Sequence, residues 1–133
     1  AALEQASSGT HAPTGNRVYL LGAHDTNLAN LAGMLQLDWT LPDQPDDTPP
    51  GGALVFSRWR DPVTAIDYVT VELVYQSLEQ LRNLTALSLA VPPKHIPLAI
   101  PACKDPAHGN ACRLQDFSRV VKQSLAPDCV AHQ

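Results

Sequence analysis

The patterned part of the chain opens with two apolar blocks. Residues 18–21 (VYLL) form a β-prone run, which predicts a short strand. Leu28, Leu31 and Leu35 then recur at i, i+3 and i+7, which is the spacing of one helix face. We therefore predict a strand, a turn and then a helix over residues 25–37.

The middle of the chain predicts a loop followed by a β-hairpin. Residues 37–52 are rich in Asp and Pro and lack any period, as loops do. Residues 53–59 and 68–76 are β-prone runs joined by a turn-forming segment, which predicts an antiparallel hairpin. One face of the second strand is predicted to be buried, namely Val69, Val71, Leu73 and Tyr75. The opposite face is predicted to be partly exposed, namely Thr70, Glu72 and Gln76.

The last third of the chain predicts three shorter elements. Residues 77–83 suit a short helix, and residues 95–100 suit a short strand. Pro97 lacks a backbone N–H, so this strand is expected at a sheet edge or in an irregular position. A final amphipathic helix, ended by Pro127, is marked by Leu114, Phe117, Val121 and Leu125.

Composition narrows the class of protein. A chain of 133 residues, 44% hydrophobic and 17% charged, is ordinary for a globular domain with a core. The formal charge of −4, with only nine Lys and Arg, gives no basic surface for nucleic acid. No run of 18 apolar residues is present to span a membrane. Residues 1–16 lack the features of a signal peptide and are predicted to be a polar loop or linker.

A His-Asp pair lies between the first predicted strand and the first predicted helix. His24 and Asp25 would meet unpaired backbone N–H groups and the positive end of the helix dipole, both of which favour an anion. Ligands of open α/β sheets bind at this kind of strand end. Asp25, Thr26 or Asn27 would equally serve as a helix cap. From the residues alone, a phosphate site and a simple cap both remain open.

The three cysteines suggest an oxidising compartment. Cys103 and Cys112 bracket a polar, turn-rich segment that would close as a small disulfide loop. Cys129 is then left over, which suggests a partner elsewhere and a missing part of the protein. The alternative is three reduced thiols. No Cys-x-x-Cys and no paired histidine spacing occurs, so no metal site is predicted.

Other conspicuous side chains are predicted to be structural. Trp39 and Trp59 are expected in the core rather than along a substrate cleft. Arg58 and Arg60 are expected to be exposed hairpin residues rather than a polyphosphate site. Three loop carboxyls are expected to be solvated rather than to bind a cation, namely Asp43, Asp46 and Asp47.

Three segments carry a resemblance to a known family. Residues 22–42 (GAHDTNLANLAGMLQLDWTLP), 45–59 (PDDTPPGGALVFSRW) and 71–83 (VELVYQSLEQLRN) resemble the carboxyl-terminal part of bacterial histidine acid phosphatases, in particular periplasmic phytases and glucose-1-phosphatases. The resemblance runs over about residues 17–129. It implies an α/β fold like that of phosphoglycerate mutase, with a mixed sheet flanked by helices. Residues 17–133 would be its carboxyl-terminal part, without the amino-terminal part and the α domain.

The resemblance also implies roles for the residues of the HDT triplet. His24 would contact the transferring phosphoryl group, Asp25 would donate a proton to the leaving alcohol, and Thr26 would touch the substrate. The family's nucleophile is the His of an RHGxRxP motif, and no Arg-His-Gly occurs in these 133 residues. We therefore expect this chain to be inactive without the missing segment.

The same resemblance implies the setting of the enzyme. The amino-terminal portion of the same precursor is the expected partner, as a separate chain, in a periplasmic or secreted protein without a cofactor or metal. The substrate would be a phosphorylated small molecule. Phytate is favoured over glucose 1-phosphate because the chain reads HDTN where glucose-1-phosphatases tend to read HDSN. The alternative of another class is a non-catalytic phosphate-binding or interaction module that lacks the nucleophile.

Overall fold

The computed structural model describes residues 18–126. Its elements in chain order are α1 (Asp25–Leu35), β1 (Ala53–Arg60), β2 (Asp67–Tyr75), α2 (Leu78–Arg82), β3 (Lys94–Leu98), β4 (Lys104–Asp105), a 3₁₀ turn (Pro106–His108), β5 (Ala111–Arg113) and α3 (Leu114–Ser124). The predicted linker over residues 1–16, the helix stop Pro127 and Cys129 lie outside the described residues.

Strand β2 is the centre of a five-stranded sheet. The strand order is β1-β2-β5-β4, and β3 also pairs with β2. All pairs between the described strands are antiparallel. The hairpin predicted from the sequence is confirmed, with Phe56 opposite Val71 and Arg60 opposite Asp67. Strand β3 pairs only with β2, so Pro97 lies in an edge strand as predicted.

The two faces of β2 differ as its alternating pattern predicted. Val69, Val71, Leu73 and Tyr75 are buried, whereas Thr70, Glu72 and Gln76 are half-buried. The buried face belongs to a core that helices α1 and α3 help to form, through Leu35 and Val120. The long loop adds Leu37 and Leu41 to this core. The loop is therefore irregular in backbone but fixed by packing.

Hydrogen bonds fix the ends of two helices. Helix α1 stops two residues before the predicted end because Gln36 adopts the left-handed conformation, with φ 54° and ψ 40°. The N–H of Leu37 then donates to the carbonyl of Ala32 at 2.9 Å. In α2 the hydroxyl of Ser77 accepts from the N–H of Gln80 at 3.2 Å, which is an N-cap.

The strand predicted over residues 18–21 is wrong for the described structure. These residues belong to no strand of the described sheet, and Val18, Leu20 and Leu21 are 87–93% exposed. A β-prone run becomes a strand only when a neighbouring strand satisfies its backbone groups and covers its side chains. The sequence of this run shows its β propensity but does not show whether a neighbouring strand is present.

Cys103 and Cys112 form a disulfide with a Cα–Cα distance of 5.1 Å, as their spacing predicted. The disulfide closes a loop in which the short strands β4 and β5 pair with each other. Strand β5 continues onto β2, with Cys112 opposite Val69. The loop is thus attached to the centre of the sheet. Within residues 18–126, no helix is long and apolar enough to cross a membrane.

Candidate active site

The His-Asp pair lies at the amino terminus of α1. His24 is the N-cap residue, with extended backbone (φ −113°, ψ 168°), and Asp25 is the first residue of the helix. Both side chains are exposed and line an open cleft of about 440 Å³. The structure therefore places the pair in a cleft at the positive end of the helix dipole.

His24 and Asn27 are paired at the amino terminus of α1. The side-chain oxygen Oδ1 of Asn27 accepts from the backbone N–H of His24 at 2.9 Å, and the carbonyl of His24 accepts from the N–H of Asn27 at 3.0 Å. Oδ1 of Asp25 accepts from the N–H of Thr26 at 2.6 Å and from its hydroxyl at 3.2 Å. Asn27 thus fixes the backbone at the helix start, and Thr26 orients the carboxyl group of Asp25.

The opposite side of the cleft is a segment that we call the cleft wall, residues 46–52 (DDTPPGG). All of its residues except Asp47 line the cleft, together with Leu28 from α1. The wall belongs to the long loop between α1 and β1, which lacks periodicity. No periodic pattern therefore predicts that this segment lies opposite the His-Asp pair. Only the course of the folded chain brings the two segments together.

The charge of the cleft is incomplete for binding phosphate. Among the lining residues, Asp25 and Asp46 are carboxyls, His24 is the one side chain able to carry positive charge, and none is Lys or Arg. The backbone N–H groups at the start of α1 add partial positive charge. A phosphate dianion would need further cations from outside this set of residues.

The two arginines of β1 are engaged elsewhere. Arg58 is half-buried, not exposed as predicted, and its Nη2 donates to Asp67 at 2.8 Å. Arg60 is exposed and makes two hydrogen bonds to the same carboxylate, at 2.9 and 3.0 Å. The hydrogen bond from Arg60, followed by that from Arg58, outweighs desolvation and lowers the pKa of Asp67 to about 2. These two arginines therefore stabilise the hairpin.

The loop carboxyls do not converge on one point. Asp43 accepts from the hydroxyl of Tyr75 at 2.7 Å. Burial, together with this hydrogen bond, raises the pKa of Tyr75 to about 12. Asp46 instead accepts from the N–H of Thr48. Among residues 18–126, no group of three or more His, Cys, Asp or Glu side chains is arranged to hold a metal ion.

The tryptophans occupy different places. Trp39 is half-buried against the core, as predicted, and its Nε1 donates to the carbonyl of Asp47 in the cleft wall at 2.8 Å. Trp59 is 36% exposed and stacks on the buried ring of Tyr68, with ring centroids 4.9 Å apart. Trp59 is therefore a surface residue of the hairpin, not a core residue.

A polar cluster around His108 was not predicted. Its Nδ1 lies 2.9 Å from Asp105 and its Nε2 lies 3.7 Å from Asp61, while its ring stacks on Tyr68 at 4.4 Å. The hydrogen bond with His108 lowers the pKa of Asp105. The cluster joins the hairpin turn to the disulfide loop. Since Tyr68 lies 40 residues before His108 in the chain, no local spacing predicts their contact.

Comparison with known proteins shows to which superfamily the chain belongs. Residues 1–76 match the model of the histidine phosphatase superfamily, branch 2. This chain belongs to that superfamily, which confirms the resemblance seen in the HDT triplet and the segments around it.

Individual members of this superfamily are similar to most of the chain. The chain is 46% identical over 112 residues to phytase AppA of Escherichia coli (strain K12), a match covering 84% of the chain. It is 40% identical over 113 residues to a glucose-1-phosphatase of Providencia rettgeri, with the same coverage. These matches cover 26% and 27% of the relatives, so the chain spans about a quarter of their length.

A solved structure confirms the α/β fold class. The apo form of Hafnia alvei phytase matches with a TM-score of 0.78 and 49% identity. The match covers 83% of this chain and 27% of that one. The antiparallel sheet and its helices are therefore part of the histidine phosphatase fold.

Proposed function

We propose that the whole protein is an acid phosphomonoester hydrolase of phytase type, to which this chain supplies the proton donor. The observation that carries the proposal is the His24–Asp25 pair, which lies in a cleft at a helix amino terminus. Membership of the histidine phosphatase superfamily supports the reaction class. Relatives named as phytase and as glucose-1-phosphatase support phytate or a sugar phosphate as substrate, and HDTN favours phytate.

The chemistry divides between two parts of the protein. A histidine nitrogen from an RHGxRxP segment outside this chain attacks phosphorus and forms phosphohistidine, while the bond from phosphorus to the alcohol oxygen breaks. The carboxyl group of Asp25 gives its proton to that oxygen, so the product leaves as an alcohol rather than an alkoxide. Protonated His24 and the helix N–H groups stabilise charge on the phosphoryl oxygens, and Thr26 orients Asp25 beside the substrate.

The charge of the cleft supports this division. His24 is the only lining side chain that can become cationic, and a phosphate dianion requires more positive charge than one imidazole. The arginines of the RHGxRxP segment would supply it. The reaction then needs no metal and no cofactor.

We also propose a setting for the assembled protein. The Cys103–Cys112 disulfide supports an oxidising compartment, so the protein is periplasmic or secreted. Cys129 pairs with a cysteine in another part of the whole protein.

The test is the dependence of the Asp25→Asn variant on the leaving group. In the whole protein, this change keeps shape and hydrogen bonding but removes the transferable proton. We expect single-turnover rates to fall by about 10²–10⁴ for an alkyl or inositol phosphate and much less for an aryl phosphate, whose phenol leaves without help. Asp38→Asn, at an exposed carboxyl outside the cleft, is the control.

Two further results complete the test. His24→Ala should slow both esters, because charge stabilisation of the phosphoryl group is needed whatever leaves. Equal losses on both esters for Asp25→Asn would show that Asp25 positions other groups and that the acid lies elsewhere. A whole protein that binds phosphate but turns over neither ester would instead be a binding module.

A further inference from the structure

The cleft wall, residues 46–52, faces the proton donor but carries no cation. Its sequence is DDTPPGG, without Lys or Arg. The opposite side of the cleft holds His24 and the start of α1, where an anion is favoured. A phosphomonoester consists of a phosphoryl group and the alcohol to which it is bonded. The phosphoryl group suits the helix side, which leaves the wall to contact the alcohol by shape and hydrogen bonding.

Internal contacts make the wall stiff. Oδ1 of Asp46 accepts from the N–H of Thr48 at 2.9 Å and from its hydroxyl at 3.2 Å. The N–H of Gly52 donates to the carbonyl of Pro49 at 2.9 Å, and Gly51 has a φ of +76°. A Cβ on Gly52 would come within 2.9 Å of the Pro49 carbonyl oxygen. The wall therefore has one preferred shape, so its position depends on what holds it.

Trp39 connects this wall to the core. The indole is half-buried and packs against the hydrophobic core cluster, while its Nε1 donates to the carbonyl of Asp47 at 2.8 Å. The loss of one N–H to carbonyl hydrogen bond shifts an equilibrium by about three- to tenfold. Because packing fixes the indole ring, this hydrogen bond fixes the position of the cleft wall relative to the core.

We propose that Trp39 is a positioning residue that holds the cleft wall against the leaving alcohol, so that the ester oxygen lies within reach of the carboxyl group of Asp25. The proposal rests on the phosphomonoesterase function proposed above. Proton transfer requires heavy atoms about 2.6–3.2 Å apart, so a small displacement of the alcohol lowers the rate. The wall matters only for an alcohol large enough to touch it. Trp39 therefore determines selectivity for bulky polyol esters.

The test compares a bulky and a small alkyl ester in the Trp39→Phe variant of the whole protein. Phenylalanine keeps an aromatic ring in the core but cannot donate to Asp47. We expect kcat/KM for myo-inositol monophosphate to fall about three- to tenfold, the equivalent of one hydrogen bond, with a lower kcat as well as a higher KM. Methyl phosphate, which also needs the acid but does not reach the wall, should be unaffected.

Trp59→Phe is the matched control. Trp59 lies on the hairpin and does not line the cleft, so its variant should keep the wild-type ratio between the two esters. Equal losses on both esters in Trp39→Phe, even with a lower melting temperature, would show that Trp39 only supports the fold and would overturn the proposal. An unchanged kcat/KM for both esters would overturn it as well.

A binding measurement distinguishes failure of this proposal from failure of the proposed function. If the whole protein hydrolyses neither ester, the proposed function fails, but titration calorimetry with the same two esters still measures contact with the wall. Trp39→Phe should then weaken binding of myo-inositol monophosphate three- to tenfold, a range set by one hydrogen bond, and leave that of methyl phosphate unchanged. Equal binding of each ester by both proteins would refute the positioning role.

Discussion

Asp67 couples the stability of the hairpin to pH. Its carboxylate receives hydrogen bonds from Arg60, at 2.9 and 3.0 Å, and from Arg58, at 2.8 Å. Its pKa is lowered from 3.8 to about 2. A carboxyl whose pKa is lower in the folded state stabilises that state above pH 3.8. This contribution is lost as the pH falls towards 2.

The size of the contribution follows from the two pKa values. A carboxyl that titrates near 2 when folded and at 3.8 when unfolded would contribute about 2 kcal/mol to the free energy of unfolding. The side chains of Asp67 and Arg58 are each 18% exposed, whereas that of Arg60 is 61% exposed. Solvent weakens the bonds made by Arg60, so we expect about 1–2 kcal/mol.

The assay is urea unfolding of the whole protein and its Asp67→Asn variant at several pH values between 5 and 2. The difference in free energy of unfolding should be largest at pH 5 and should narrow by about 1–2 kcal/mol towards pH 2. Asp38→Asn, at an exposed carboxyl, gives the background for removing one acid. A difference that stays constant over this pH range would refute the reasoning.

Two further predictions concern the exposed apolar run and the cysteines. The isolated 133-residue chain should aggregate or remain partly unfolded because Val18, Leu20 and Leu21 are 87–93% exposed, and a cooperative, monomeric thermal transition would contradict this. Non-reducing peptide mapping of the whole protein should recover Cys103 joined to Cys112 and Cys129 joined to a cysteine outside this chain. Recovery of Cys129 as a free thiol would refute the second pairing.

Elements whose pattern is local were predictable. The hairpin of β1 and β2 and the burial of alternate residues in β2 follow from a period of two, which needs only one buried face. The two longer helices likewise follow from leucines and other apolar residues at helical spacing. The position of the His-Asp pair at the start of α1 was predictable for the same reason, since helix starts leave local signals.

Features that depend on tertiary context were missed. Residues 18–21 have the composition of a strand but no strand partner in the described sheet. The end of α1 at Gln36 is set by a left-handed conformation in a residue that carries no such signal. Strands β4 and β5 have two and three residues, too few to show a period. The cleft wall and its bond to Trp39 depend on how a loop folds back, which no window of sequence contains.

The manner in which α1 is held has a consequence for motion in the folded state. Strand β2 is hydrogen-bonded through its backbone to three other strands, whereas Leu35 is the only buried residue of α1. The helix is joined to α3 by packing and by the hydroxyl of Ser124, which donates to the carbonyl of Met34. Local opening should therefore detach α1 at a lower free energy than it opens the sheet. Amide hydrogens that are bonded within α1, beyond its first turn, should exchange with solvent faster than those of β2.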